Sequence, residues 1–170
     1  LFILSCICIL NTIYDYDYTL CAQIMKYYMI ADLCFIPYNK KDMIFHHIFS
    51  IMMLEYGLQN IDWTTNFYSF TQILLTECSS VFLSLYTIVD CSEWKNKRLK
   101  SQVVSLLKCF FICSFIKYRI YDFYKNVIVN PYFFDSIYTN TQMSYYFPRI
   151  TIFSLFGLNL YWFTKLLKVI

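Results

Sequence analysis

Helix-length apolar segments recur along this chain with short polar stretches between them, and that alternation constrains the fold more than any other feature. After a short apolar run at 1–10, the segments lie at about 19–36, 42–57, 66–89, 101–121 and 148–169. An α-helix of about 20 residues spans the roughly 30 Å hydrocarbon core of a bilayer. The run at 1–10 supplies only about 15 Å of helix, so it reads as the end of a span whose beginning is missing. A secretory leader fits it less well, because no basic n-region precedes the run and no A-x-A-like site lies before the polar stretch 11–18.

Composition agrees. Of 170 residues, 59% are hydrophobic and 15% charged, against about 25% charged in an average soluble domain. A water-soluble fold has no way to hide that much apolar surface. With 2 Gly, 3 Pro, no low-complexity run and no internal repeat, nothing marks a linker, and residues 1–170 read as one domain. The expected fold is all-α, a multi-pass transmembrane helical bundle of about six spans around a central cavity. Residues 122–147, rich in aromatic side chains and holding Pro131, are too irregular for a span and suit an interfacial or re-entrant connector.

Positive charge sets the orientation. Lys40 and Lys41 follow the second segment, Lys95, Lys97, Arg98 and Lys100 follow the fourth, and Lys165 and Lys168 lie near the C-terminus. Stretches 11–18 and 58–65 carry no Lys or Arg. The positive-inside rule therefore places the basic loops and the C-terminus in the cytosol, an alternation that six spans satisfy. The net charge of +3 forms no separate basic face, which argues against nucleic acid as a partner. Eight cysteines show no C-x-x-C and no paired Cys/His ligand spacing. They read as small apolar helix residues, and no cofactor or metal is expected.

Ionisable groups inside the spans are the informative residues, since each costs roughly 2.5 to 3.5 kcal/mol on insertion scales and so needs a partner or a cavity. Asp32 and the pair His46 and His47 fall at similar depth near the cytosolic side. An imidazole oriented by a carboxylate takes a proton from a nucleophile; adjacent histidines also suit a metal, and a plain helix–helix hydrogen bond accounts for the same residues. Adjacent helical residues point about 100° apart, so both histidines cannot face one partner. Ser69, Thr76, Ser80 and Ser84 make a polar edge on the fourth span with Glu77 beside them, though small hydroxyl residues also join membrane helices without further purpose. A mid-bilayer carboxylate such as Glu77 must be paired or protonated. Lys108 and Arg119, about three helical turns apart, share a face of the fifth span and offer countercharge, unless Lys108 snorkels to the interface. Asn159 lies near the middle of the last span. Lys26, Glu55 and Lys117 read as helix-end or packing charges. Motifs of soluble catalysis, G-x-G-x-x-G, the P-loop, H-E-x-x-H and G-x-S-x-G, are absent.

Five short stretches in order carry a family resemblance: Tyr27-Tyr28-Met29-Ile30-Ala31-Asp32, then Lys41-Asp42-Met43-Ile44-Phe45-His46-His47-Ile48, Leu75-Thr76-Glu77-Cys78-Ser79-Ser80, Phe115 to Arg119, and Leu158-Asn159-Leu160-Tyr161-Trp162-Phe163. The collinear set resembles the TLC domain, named for translocating-chain-associating, longevity-assurance and neuronal ceroid lipofuscinosis proteins. The resemblance implies a helical bundle around a cavity, set in the endoplasmic reticulum or another internal membrane, with roles in lipid metabolism, lipid sensing or protein handling. In ceramide synthases of this family a His-Asp-x-x-Asp element follows the histidine pair; here Phe70-Thr71-Gln72-Ile73-Leu74 supplies none of it. The chain looks more like the small TLC-domain transmembrane proteins than like a ceramide synthase.

The leading expectation is a protein of membrane lipid homeostasis that binds or regulates lipids, with Glu77, Arg119, Asn159 and Ser80 lining its cavity. The alternative is a membrane acyltransferase that takes fatty acyl-CoA, with His46 or His47 as general base and Asp32 orienting it. A helper in protein translocation, or a transporter, is a third reading, although no repeat halves or broken helices favour transport.

Overall fold

A computed structural model of the chain describes residues 18–60, 73, 75–136 and 142–168. All secondary structure among the described residues is helical. Helix α1 spans Tyr18–Leu33 and α2 spans Lys41–Asn60, joined by a turn at Pro37 in which the Lys40 amide donates to the Pro37 carbonyl at 2.9 Å. Pro cannot continue a helix, so α1 must stop before it. A 3-10 turn, Leu75–Glu77, leads into α3, Cys78–Cys91. Helix α4, Lys97–Ser114, is capped by Asn96, whose side chain accepts from the Leu99 amide at 3.0 Å. Short α5, Pro131–Ser136, and long α6, Gln142–Leu167, complete the chain.

Five of the six expected spans correspond to α1, α2, α3, α4 and α6. The run at 1–10 lies outside the described residues, as do 61–72, which include the front of the fourth span expected at 66–89. By length and apolarity together, two helical stretches among the described residues suffice to cross a bilayer, Lys97–Ile128 and Tyr145–Leu167. Their outward faces carry large apolar side chains, among them Leu106, Phe110, Ile150, Phe153 and Leu160. Such faces are stable against lipid and costly against water.

The connector expected at 122–147 is shorter in the structure. Helix α4 runs on past Ser114 as π-helix, Phe115–Asp122 and Tyr124–Ile128. Its last turn is closed by the Val129 amide on the Tyr124 carbonyl, an i to i−5 bond at 3.0 Å. Phe123 and Val127, four residues apart, share one helical face, and burying that face explains why the helix continues. Asn130 then accepts from the Tyr132 amide at 3.1 Å. Pro131, at the first position of α5, forces the change of direction.

Two cores hold the bundle. One joins Cys21, Ala22, Met25 and Met29 of α1 to Leu54 of α2. The other gathers Met53 of α2, Phe123 and Val127 of the π-helical stretch, Phe133 and Phe134 of α5, and Ile152 of α6. Contacts run from α1 to α2, from α2 to α6, from α6 to the extended α4, and from α4 to α3. That order leaves the polar residues of the spans facing one another across the interior.

Candidate functional site

A cavity of about 490 Å³ opens in that interior, with wall residues from α1, α2, the 3-10 turn and α3, α4 with its π-helical extension, and α6. It lies in the usual size range of small-molecule sites, about 300 to 1,000 Å³. Met29, Met43, Leu83, Phe111 and Phe115 give it a largely apolar lining. Three polar clusters interrupt that lining.

The deepest cluster is built on Arg119, which is 6% exposed. Its Nε donates to Ser79 Oγ at 2.7 Å, and one terminal nitrogen reaches Ser80 Oγ at 2.9 Å and Glu77 Oε1 at 3.4 Å. The other terminal nitrogen meets Asn159 Oδ1 at 3.5 Å, and Asn159 Nδ2 in turn donates to the Arg119 carbonyl at 3.4 Å. Phe115 and Trp162 rings flank the guanidinium at 5.8 and 5.9 Å. A buried carboxylate and a buried guanidinium thus neutralise each other, with two hydroxyls and an amide taking three more of the five guanidinium N–H groups. Glu77 stands at the junction of the 3-10 turn with α3 rather than within a regular helix. Thr76 Oγ1 bonds to the Ile73 carbonyl at 2.7 Å and Ser79 Oγ to the Thr76 carbonyl at 3.0 Å, local bonds that tighten this turn.

In the second cluster α1 meets α2. His47 Nε2 lies 2.9 Å from Asp32 Oδ2, and His47 Nδ1 lies 2.9 Å from the Met43 carbonyl. A carbonyl only accepts, so Nδ1 carries a proton. The contact with Asp32 then needs a second proton, on Nε2 or on the carboxyl group. In this arrangement neither nitrogen of His47 offers a free lone pair.

His46 points elsewhere, as the 100° step between neighbours requires. Its ring packs 5.0 Å from Trp162 and 5.6 Å from His47, and its Nδ1 is sealed in the wall without a hydrogen-bond partner among the described residues. The third cluster joins the start of α2 to the end of α6: Trp162 Nε1 and Lys165 Nζ both donate to Asp42 Oδ2, at 2.8 and 3.0 Å.

The structure therefore gathers Asp32, His46, His47, Glu77, Ser80 and Arg119 around one cavity, with Asn159 behind Arg119. Lys108 is not part of it and lies 5.2 Å from the Tyr86 ring instead. The Lys26–Glu55 pair, at 2.8 Å, ties α1 to α2, and Lys117 pairs with Asp122 at 2.6 Å. Sequence reasoning passed over Ser79 and the Asp42–Trp162–Lys165 cluster. Trp162 and Lys165, three apart on α6, were visible as one face; their partner lies 120 positions away, and no local pattern reports it.

Comparison with known proteins finds one family. The model of the TLC domain matches residues 5–168, nearly the whole chain. No curated protein and no solved structure matches. With its helical bundle, its lipid-facing apolar surfaces and its interior polar clusters, this chain belongs to the TLC-domain family of membrane proteins, whose work concerns membrane lipids.

Proposed function

We propose that the protein serves membrane lipid homeostasis by binding or regulating a lipid in its cavity, in the endoplasmic reticulum or another internal membrane. The observation that carries this reading is the cavity itself: about 490 Å³, mostly apolar, within a membrane domain, its ion pairs satisfied by one another. Such a site accepts an acyl chain without breaking its own structure.

The second reading is acyl transfer from fatty acyl-CoA with His46 as the base. It rests on one observation, the imidazole of His46 on the cavity wall without a hydrogen bond among the described residues, and it needs the tautomer in which Nε2, the nitrogen not sealed in the wall, is unprotonated. His47 serves that role less well, since both of its nitrogens are engaged.

The test is lipidomics of cells expressing wild type, Leu83→Trp, which fills the cavity, and His46→Ala, at matched membrane abundance. Binding or regulation predicts a shift in one lipid class that Leu83→Trp abolishes. No shift with wild type would refute it. An acylated product formed by purified wild type from acyl-CoA, and lost in His46→Ala, would give the function to the second reading.

A further inference from the structure

Hydrogen bonds already made in the wall limit which head group the cavity accepts. Its three carboxylates, Asp32, Asp42 and Glu77, pair with His47, Lys165 and Arg119 in turn. The Arg119 guanidinium is spent on Glu77, Ser79, Ser80 and Asn159, leaving no pair of parallel N–H groups for a phosphate or carboxylate. A charged head at this depth would meet groups whose charges are already matched. Lys40 offers a positive charge only at the exposed rim.

Apart from Lys40, two polar lining residues, Tyr28 and His46, make no side-chain hydrogen bond among the described residues, and His46 is the one with a nitrogen sealed in the wall. Nδ1 is sealed and unpartnered, and Nε2, which is not sealed, also lacks a hydrogen bond among the described residues. A buried N–H without an acceptor costs more than a bare ring nitrogen, so Nδ1 is the unprotonated position and Nε2 carries the proton. On a cavity wall, that N–H calls for an oxygen from the ligand.

We propose that the ligand is an uncharged, hydroxyl-bearing amphiphile, of the long-chain alcohol or monoacylglycerol class. Its hydroxyl oxygen accepts from His46 Nε2, and its chain runs along Met29, Met43, Leu83, Phe111 and Phe115. This inference rests on the lipid-binding reading and narrows it. A hydroxyl suits the site doubly, because it also donates should the imidazole change tautomer.

Equilibrium binding of radiolabelled hexadecanol, hexadecanoic acid and hexadecylamine to the purified full chain in detergent tests it. Hexadecanol is expected to bind about tenfold more tightly than the acid or the amine. His46→Phe, which keeps a ring against Trp162, is expected to lose about tenfold for the alcohol alone, and Lys40→Gln to lose nothing. Tighter binding of the acid or the amine overturns the inference, as does alcohol binding that ignores His46→Phe. Should that variant fail to fold, the order of the three ligands on wild type decides alone. If none of the three binds but phospholipid does, the inference falls and lipid binding stands; if no lipid binds, both fall.

Discussion

Arg119 shows what a single residue does in this molecule. It joins Glu77, Ser79 and Ser80 from the α3 region to Asn159 of α6, and both members of its ion pair are buried. Removing one partner strands the other charge, which in a buried pair costs roughly 3 to 5 kcal/mol. Arg119→Met is therefore expected to lower the unfolding midpoint in detergent sharply, and adding Glu77→Gln to restore most of it. A double variant no more stable than Arg119→Met alone would show that the pair does not carry this energy. The ionisable residues themselves stood out in the sequence, because charge inside an apolar segment demands an explanation. Their pairing did not. Depth put Asp32 level with the histidines, but only the rotational setting of α2 decides that His47 meets the carboxylate while His46 turns to Trp162.

Elements carry the second kind of information. The periodic segments announced helices, and the described ones coincide with them apart from their ends. What periodicity missed is winding. The 11-residue spacing of Lys108 and Arg119 puts both on one face of a regular α-helix, yet the change to π-helix at Phe115 alters the phase, so Arg119 enters the cavity and Lys108 lies over Tyr86. π-Helical turns cluster at functional sites in proteins generally, and this one sets the guanidinium opposite the serines. Helix α6 offers a cleaner test of element stability. Nothing lies within 4 Å of the place a Cβ would take at Gly157, so that glycine loosens the helix without serving a close contact. Gly157→Ala is expected to add about 0.5 to 1 kcal/mol, read as a higher unfolding midpoint.

At the scale of the whole molecule, helix order sets which turns share an end of the bundle. The turn 34–40, the turn 92–96 and Lys168 lie at one end of the bundle, and the turn at Asn130 lies at the other. Single reporter cysteines at Asn96 and Lys168, in a background free of other cysteines, are expected to react with an impermeant maleimide from the cytosolic side, and one at Asn130 from the opposite side. Labelling of all three from one side would refute the arrangement. The basic residues that the sequence groups on one side fall in or beside turns at one end of the bundle; the closure of the bundle they could not disclose, because contacts between distant helices leave no local trace. That closure has a consequence for biogenesis. Helix α6 is made after the others but packs between α2 and α4, supplying Trp162, Lys165 and Asn159 to partners already synthesised. Until it arrives, Arg119 lacks one acceptor and Asp42 lacks both donors, so the nascent bundle holds half-satisfied polar groups in the bilayer. The cavity is thus a late product of assembly, and a chain arrested before α6 would leave those groups unpaired inside an apolar medium.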